Sequence, residues 1–217
     1  MPLEIAGYPA TLVEFETPTA RVSLYTVSNL EEIVDRNALL QAEHLPDPPY
    51  WAHLWIGARA LARVLAASVD LRGKRVLDLG CGLGLTGLVA GGLGAEVWFA
   101  DREQAALEFV RASAVKNAIE RFEIVKADFL RDSIDAEFDV LLGAEIVYDP
   151  LAYRPLADFV DRHLRPGGSF YVTDAFRADA EVFFDELRRR GFSGERRAVT
   201  EWEDGRPFGI FIWSFRR

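Results

Sequence analysis

The hydrophobic and polar positions of the chain follow two periods that alternate regularly from residue 75 onward. Short apolar runs between turn residues predict strands, and apolar positions spaced three or four residues apart predict helices. Strands are predicted at residues 75–79, 95–100, 122–126, 138–143 and 169–174. Helices are predicted at residues 85–93, 103–117, 152–164 and 178–190. This alternation predicts an α/β fold with a mostly parallel sheet that helices cover on both faces.

The end of the chain departs from this alternation. Residues 194–201 and 208–215 have strand character, and the turn Glu203-Asp204-Gly205-Arg206 joins them without a helix. A C-terminal antiparallel hairpin is therefore predicted, which brings the doubly wound sheet to seven strands.

The first fifty residues have their own pattern. Residues 11–16 and 21–27 alternate apolar and polar side chains, which predicts two half-buried strands. A capping box that starts at Ser28 predicts a helix to about Glu43, before a run of prolines. Because 217 residues fit one domain with an appendage, we predict an N-terminal extension (1–49), which lies over the ligand cleft, and a main domain (50–217).

Composition and charge narrow the possible functions. The net charge is −9, and residues 1–149 carry 13 basic but 23 acidic side chains, which argues against nucleic acid as a partner. One cysteine, Cys81, and three scattered histidines lack the spacing of a metal site, so no metal is expected. The chain shows neither a basic, apolar leader nor a membrane-spanning run, so a cytoplasmic protein without a membrane partner is expected.

The most informative segment joins an apolar strand to a helix through closely spaced glycines: Val76-Leu77-Asp78-Leu79-Gly80-Cys81-Gly82-Leu83-Gly84-Leu85-Thr86-Gly87. Such a turn lets a ligand approach the backbone and the amino end of the helix, which predicts a nucleotide-type cofactor. The spacing Gly82-x-Gly84-x-x-Gly87, with Asp101 downstream, also satisfies the dinucleotide fingerprint.

Three features favour S-adenosylmethionine over a dinucleotide. Asp78 precedes the first glycine, where a carboxylate would repel a pyrophosphate but attract a cationic, amino-acid-bearing sulfonium. The register of Asp78, Gly80, Gly82 and Gly84 places the tight turn two residues earlier than the dinucleotide fingerprint does. The terminal antiparallel hairpin is also absent from a standard dinucleotide fold.

With these motifs, the chain resembles the class I, seven-β-strand methyltransferases, which have a Rossmann-like fold. Further signs are Asp101 at the end of the second parallel strand and Pro166-Gly167-Gly168 before the fifth. Within the class it resembles methyltransferase family 16, which includes many protein-lysine methyltransferases. That resemblance rests on Pro49-Tyr50-Trp51-Ala52-His53-Leu54-Trp55, Asp101-Arg102 and Leu142-Gly143-Ala144-Glu145-Ile146-Val147-Tyr148-Asp149.

The resemblance implies a set of cofactor-binding residues: Trp55, Asp78, Gly80, Cys81, Gly82, Gly84, Asp101, Arg102, Asp128, Phe129 and Ala144. The segment from Gly80 to Gly82 would wrap the methionine part, and Asp78 would attract its ammonium group. Asp101 would accept the ribose hydroxyls, and the pair Asp128-Phe129 would lie beside the adenine. Ala144 would contribute backbone at the cofactor's edge, and Trp55 would cover the cofactor from the amino-terminal side.

Simpler roles are open for four residues of these segments. Asp78 would then only cap the following turn, and Asp101 would be a helix N-cap. Trp51 and Trp55, four residues apart, would share one helix face and pack in the core.

The resemblance also implies the catalytic residues, Glu145 and Tyr148. The family's usual pattern is Asp-x-x-Tyr, so Glu145 departs from it by one methylene. A carboxylate raises the pKa of a nearby lysine, so Glu145 is expected to bind and aim the incoming ammonium. Proton loss would then go to water or be assisted by Tyr148. Asp149, which precedes Pro150, is expected to cap the next helix.

The sequence thus predicts an S-adenosylmethionine-dependent N-methyltransferase that acts on a lysine of another protein and releases S-adenosylhomocysteine, with a monomer favoured. One alternative is a methyltransferase for a small-molecule amine. Another is an accessory subunit that binds the cofactor without turnover, which the departure at Glu145 would explain. The acidic first part of the chain would attract a basic acceptor.

Overall fold

A seven-stranded sheet forms the centre of the protein, whose computed structural model describes residues 3–30, 49–174 and 180–217. The strands are β1 (Glu4–Ile5), β2 (Tyr8–Glu16), β3 (Arg21–Val27), β4 (Arg75–Leu79), β5 (Glu96–Asp101), β6 (Phe122–Lys126), β7 (Phe138–Ala144), β8 (Leu164–Asp174), β9 (Ser193–Glu203) and β10 (Arg206–Arg216). The helices are α1 (Ile56–Ser68), α2 (Leu85–Gly92), α3 (Gln104–Lys116), α4 (Tyr153–His163) and α5 (Glu181–Arg189). The helix predicted after Ser28 falls on residues outside the described ranges.

The strand order of the central sheet is β6-β5-β4-β7-β8-β10-β9. Strands β4 to β8 pair in parallel, and β10 runs antiparallel to both β8 and β9. The predicted fold class is therefore confirmed. Because β5 and β6 lie on one side of β4 and β7 and β8 on the other, the strand order reverses beside β4, where α/β sheets bind ligands at their carboxyl ends.

Apolar side chains fill the space on both faces of the sheet. On one face, α1, α2 and α3 pack with the N-terminal strands, and Leu24 and Leu61 are fully buried there. On the other face, α4 and α5 bury aromatic side chains such as Phe159 and Phe183. This arrangement follows from strands that are apolar on both sides, since each face needs its own cover.

Strands β1, β2 and β3 form a separate antiparallel sheet, and the two strands predicted at residues 11–16 and 21–27 are confirmed. The outer edge of β3 donates hydrogen bonds to two side chains, one on α3 and one on the residue that follows α3. Ser113 Oγ accepts the backbone N–H of Tyr25 at 3.0 Å, and Asn117 Oδ1 accepts that of Ser23 at 2.9 Å. These bonds tie the N-terminal sheet to the main domain and satisfy an edge that would otherwise be open.

Strand β8 begins earlier than predicted. Its pairing with β7 starts at Leu164 opposite Phe138 and then shifts, so that Ser169 lies opposite Val140. The intervening segment of β8 forms a bulge that contains Gly167, whose φ is 78°. The glycines therefore interrupt the pairing without ending the strand.

Candidate functional site

A cleft of about 490 Å³ opens at the carboxyl edge of the sheet, beside β4 and the first turn of α1. Every residue singled out from the sequence lines this cleft, namely Trp55, Asp78, Gly80, Cys81, Gly82, Gly84, Asp101, Arg102, Asp128, Phe129, Ala144, Glu145 and Tyr148. The structure thus brings together residues from four strand ends and the approach to α1. Their individual roles stay predictions.

The glycine loop, defined here as residues 80–84, joins β4 to α2. Gly80, Gly82 and Gly84 have φ values of 61°, 51° and 78°, a region that side-chain-bearing residues rarely adopt. A Cβ atom at Gly82 would lie 3.0 Å from the backbone oxygen of Trp51. Glycine thus lets the loop turn tightly and pack against Trp51 while its residues line the cleft at the amino end of α2, a place that suits a nucleotide ligand.

Asp78 is 1% exposed at the end of β4. Its Oδ1 accepts a hydrogen bond from the Thr86 hydroxyl at 2.7 Å, and its Oδ2 accepts one from the backbone N–H of Gly87 at 2.8 Å. Burial raises the pKa of this carboxyl from 3.8 to about 7; the two hydrogen bonds lower the pKa in part, and the nearby Asp101 raises it further. Asp78 therefore caps the start of α2 and also presents a buried, titratable group to the cleft.

Asp101 links the end of β5 to the glycine loop. Its Oδ2 accepts the backbone N–H of Gly82 at 2.8 Å, and its Oδ1 accepts that of Glu103 at 2.9 Å. Burial raises its pKa despite these bonds. A carboxylate has about four acceptor positions, so each oxygen of Asp101 retains capacity for one more donor. That capacity matches two neighbouring hydroxyl groups.

The neighbours of Asp101 and Gly82 fix the loop further. The backbone N–H of Cys81 donates to the carbonyl of Ala100 at 3.0 Å. Burial raises the pKa of the Cys81 thiol well above its ordinary value, which keeps the thiol protonated at neutral pH. Arg102 forms an ion pair with Glu103 at 3.5 Å on the rim of the cleft.

The opposite wall of this part of the cleft is the turn after β6. Asp128 Oδ1 accepts the backbone N–H of Leu130 at 3.0 Å, and Asp132 Oδ2 accepts that of Asp128 at 2.8 Å. These bonds fix the turn, so Phe129 lies in the cleft wall with its ring packed partly on the core. An aromatic ring at this place can stack on a planar base.

Three rings form what we call the aromatic mouth of the cleft: Tyr50, Trp55 and Tyr148. The ring of Tyr50 lies 6.1 Å from that of Trp55 and 6.0 Å from that of Tyr148. Trp55 Nε1 donates to the backbone oxygen of Tyr50 at 2.9 Å, which holds two of the rings together. Tyr50 and Tyr148 are 44% and 43% exposed, so the mouth opens to the solvent.

The alternative that placed Trp51 and Trp55 on one helix face is wrong. Tyr50–Ala52 forms a single 3₁₀ turn, His53 is extended, and α1 begins only after Trp55. Trp51 is half-buried: its ring lies 5.6 Å from that of Phe109 in the core, and the residue also lines the cleft, as Trp55 does.

Glu145 follows β7 in an unusual backbone conformation. Its φ is 58°, in the left-handed region that residues other than glycine seldom occupy. Its backbone N–H donates to the Thr173 hydroxyl at 3.1 Å.

The predicted cap at Asp149 is confirmed, since Asp149 Oδ1 accepts the backbone N–H of Leu151 at 2.9 Å. The cap starts a 3₁₀ turn, Pro150–Ala152, ahead of α4.

Sequence reasoning missed Tyr8 and Tyr50, which also line the cleft. Tyr8 comes from β2, and its ring lies 5.4 Å from that of Trp51. Nothing in the local sequence marks Tyr8, because only the tertiary fold brings it there. Tyr50 could have been predicted from the sequence, since it is the first residue of the aromatic run before α1. Of the predicted N-terminal extension, Tyr8 and Pro49 reach the cleft.

Within the described ranges, no group of three or more His, Cys, Asp or Glu side chains is arranged to hold a metal ion. None of the helices in the parts of the chain that the structure describes has the length and apolar character needed to cross a bilayer.

Comparisons with known proteins agree with this geometry. Residues 50–181 match the family model of the methyltransferase small domain. The chain is 36% identical over 150 residues to Protein N-lysine methyltransferase METTL21A of Danio rerio, a match that covers 64% of this chain and 67% of that protein. It is 31% identical over 148 residues to EEF1A lysine methyltransferase 3 of Mus musculus, covering 65% of this chain and 63% of that protein. Each relative thus extends beyond the matched stretch.

Solved structures share the fold. The T. thermophilus 16S rRNA methyltransferase RsmC, in complex with AdoMet and guanosine, aligns with a TM-score of 0.67 at 17% identity and covers 96% of this chain and 51% of that one. The magnesium protoporphyrin IX methyltransferase of Synechocystis, with bound SAH, aligns with a TM-score of 0.60 at 14% identity and covers 74% and 81% of the two chains. At these identities the likeness concerns the fold alone. The predicted methyltransferase resemblance is confirmed.

Proposed function

The chain belongs to the family of methyltransferase small domains, and on that premise we propose that it transfers a methyl group from S-adenosylmethionine to a lysine side chain of another protein. One observation carries the proposal: a carboxylate, Glu145, and the aromatic mouth meet in the same cleft as the glycine loop and Asp101. A cation-binding end and a nucleotide-binding end thus share one cavity.

The residues at the nucleotide-binding end fit S-adenosylmethionine. The glycine loop lines the part of the cleft that would take the methionine part, and Asp78 offers a carboxylate to its ammonium group. Asp101 retains acceptor capacity for the two ribose hydroxyls, and Phe129 offers a ring to the adenine. When bound, S-adenosylmethionine supplies an electrophilic methyl group. The chain itself binds, orients and excludes water around the reacting atoms.

The residues at the other end suit a lysine ammonium. Rings of Tyr50, Trp55 and Tyr148 attract a cation over their faces, and Glu145 adds a carboxylate to the lining of the same cleft. A lysine has an ordinary pKa of about 10.4, and a carboxylate keeps it protonated. Glu145 therefore binds and aims the ammonium. The proton leaves to water at the open mouth or with help from the Tyr148 hydroxyl.

The exposed apolar and aromatic side chains around the mouth support a macromolecular acceptor. Besides the exposed rings of Tyr50 and Tyr148, Leu151 is 87% exposed nearby on the 3₁₀ turn. The relatives named above as protein-lysine methyltransferases support the same acceptor class. An excess of acidic side chains in residues 1–149, 23 against 13 basic ones, favours a basic protein surface over nucleic acid. The free thiol of Cys81 suits a reducing cytoplasm.

A lysate labelling experiment tests the proposal. Lysate is incubated with methyl-labelled S-adenosylmethionine and either the wild-type protein or the Asp101→Ala variant. We expect a discrete labelled protein band that depends on the wild-type enzyme. Label confined to the low-mass fraction would indicate a small-molecule acceptor and overturn the proposal.

The Glu145→Gln substitution tests the role of the carboxylate at the acceptor end. It keeps the shape but removes the charge, and one charge-assisted contact contributes about 1.5–3 kcal/mol. We expect kcat/KM for the acceptor to fall by roughly tenfold to a hundredfold, with unchanged affinity for S-adenosylhomocysteine measured by calorimetry. Unchanged kcat/KM would show that Glu145 does not aim the acceptor.

A further inference from the structure

The side chain of Glu145 lies directly against the first turn of α1. Gly57, the second residue of that helix, is buried there. A Cβ atom at Gly57 would lie 2.4 Å from Glu145 Oε1, 2.7 Å from Glu145 Cγ and 2.6 Å from Thr173 Oγ1. No side chain fits at such distances. The Glu145 carboxylate can therefore occupy this position only because residue 57 has no side chain.

The backbone of Glu145 is fixed from the other side. Its N–H donates to the hydroxyl of Thr173, which is fully buried on β8. The next residue, Ile146, is 5% exposed and fills the space at two glycines. A Cβ atom would lie 2.5 Å from Ile146 Cδ1 at Gly143 and 2.9 Å from Ile146 Cγ2 at Gly80. Surrounding contacts therefore hold Glu145 in its left-handed conformation.

The start of α1 is a favourable place for a carboxylate. The N-cap residue, Trp55, provides no side-chain cap to the helix. The amino end of a helix carries a partial positive charge, which favours the ionised form of a nearby acid. The longer Glu side chain, compared with the Asp of the family pattern, is thus accommodated by the space at Gly57.

We propose that Gly57 and Thr173 are positioning residues that set where the Glu145 carboxylate meets the acceptor ammonium. This inference rests on the proposed function of Glu145. Gly57 acts by leaving space, and Thr173 acts through its hydroxyl on the Glu145 backbone. Neither residue is among those that line the cleft, so both act through Glu145.

The first test is Gly57→Ala. Its added methyl group displaces the Glu145 carboxylate, and misplacement by about 1 Å can reduce a rate by about a hundredfold. The probe is the labelled protein band of the lysate, with methyl incorporation measured as initial rates. We expect a loss of about tenfold to a hundredfold, with affinity for S-adenosylhomocysteine within about twofold of wild type. Gly92→Ala is the matched control, because Gly92 is also helical and a Cβ atom added there would meet nothing within 4 Å.

A second pair of variants separates positioning from packing. Thr173→Val removes the hydroxyl at nearly constant shape, and Thr173→Ser keeps it. We expect the Val variant to lose about tenfold or more in methylation rate and the Ser variant to retain most of it. Equal rates for Val and Ser would overturn the role of the hydroxyl. If Gly57→Ala does not fold, this pair of variants still tests whether the contacts around Glu145 position its carboxylate.

A double-mutant cycle identifies the route of the Gly57 effect. In a Glu145→Ala background the two close Glu145 atoms are gone and only Thr173 Oγ1 remains near the added methyl group, so Gly57→Ala should cause a clearly smaller further loss than it does in the wild type. Additive losses, or an unchanged rate in Gly57→Ala alone, would overturn the inference. If the wild-type enzyme labels no protein, the proposed function fails. If it does and these variants behave like wild type, only this inference fails.

Discussion

Replacing Asp101 with Ala is expected to weaken S-adenosylmethionine binding by about a hundredfold or more. The carboxylate would receive both ribose hydroxyls, and hydrogen bonds to a charged group each contribute about 1.5–3 kcal/mol. The substitution also removes the acceptor for the backbone N–H of Gly82 and so loosens the glycine loop. Both losses act on the cofactor, whereas the strands around Asp101 keep their own pairing.

Calorimetric titration with S-adenosylmethionine measures this effect. Glu96→Ala is a suitable control, because Glu96 lies at the opposite end of the same strand and pairs with Arg75 at 3.0 Å. We expect its affinity to match that of the wild type. Equal affinity of Asp101→Ala and Glu96→Ala would show that Asp101 does not bind the ribose.

The second large effect is a pH dependence of stability caused by Asp78. Burial raises the pKa of this carboxyl to about 7 in the folded protein from an ordinary value of 3.8. Between these pH values the folded state holds a proton that the unfolded state has released. The free energy of unfolding of the cofactor-free protein therefore falls as pH rises from about 4 to about 7, by up to about 4 kcal/mol.

The variant Asp78→Asn isolates this contribution. An amide can still accept from the Gly87 N–H and pair with the Thr86 hydroxyl, but it does not ionise. Denaturant unfolding at pH 5 and at pH 8 should show a smaller decrease for the variant, which should be the more stable protein at pH 8. The same decrease in both proteins would assign the pH dependence to other groups.

Cofactor binding should show the opposite trend. A cationic ammonium group beside Asp78 stabilises its ionised form, so the affinity of the wild type for S-adenosylmethionine should rise with pH up to about 7 and then level off. The slope is at most about tenfold per pH unit. Asp78→Asn should lose this rise and bind more weakly at pH 8. If the affinities of the wild type and of Asp78→Asn for S-adenosylmethionine depended on pH in the same way, Asp78 would only cap α2.

The central sheet and most of its helices could be predicted because their periods are local and regular. The start of β8 could not be predicted, since Pro166-Gly167-Gly168 is typical of a turn that precedes a strand. Pairing of Leu164 with Phe138 extends the strand across that segment through a bulge. Such pairing depends on β7, which local sequence does not reveal.

The cleft-lining residues could be predicted where a motif follows a strand, as at Asp78, Asp101 and Glu145. The spacing of Trp51 and Trp55 misled because it presumes one continuous helix, whereas the backbone extends at His53 before α1 begins. The left-handed backbone of Glu145 and the space at Gly57 depend on contacts among α1, β7 and β8. No single segment of the sequence encodes them.

Mapping the methylated atom tests the central claim most directly. The protein band labelled by the wild-type enzyme is digested, and its peptides are sequenced by mass spectrometry. We predict methyl groups on the Nζ atom of a lysine, present with the wild type and strongly reduced with Glu145→Gln. Methyl groups on another type of residue, on nucleic acid or only on a small molecule would contradict protein-lysine methylation.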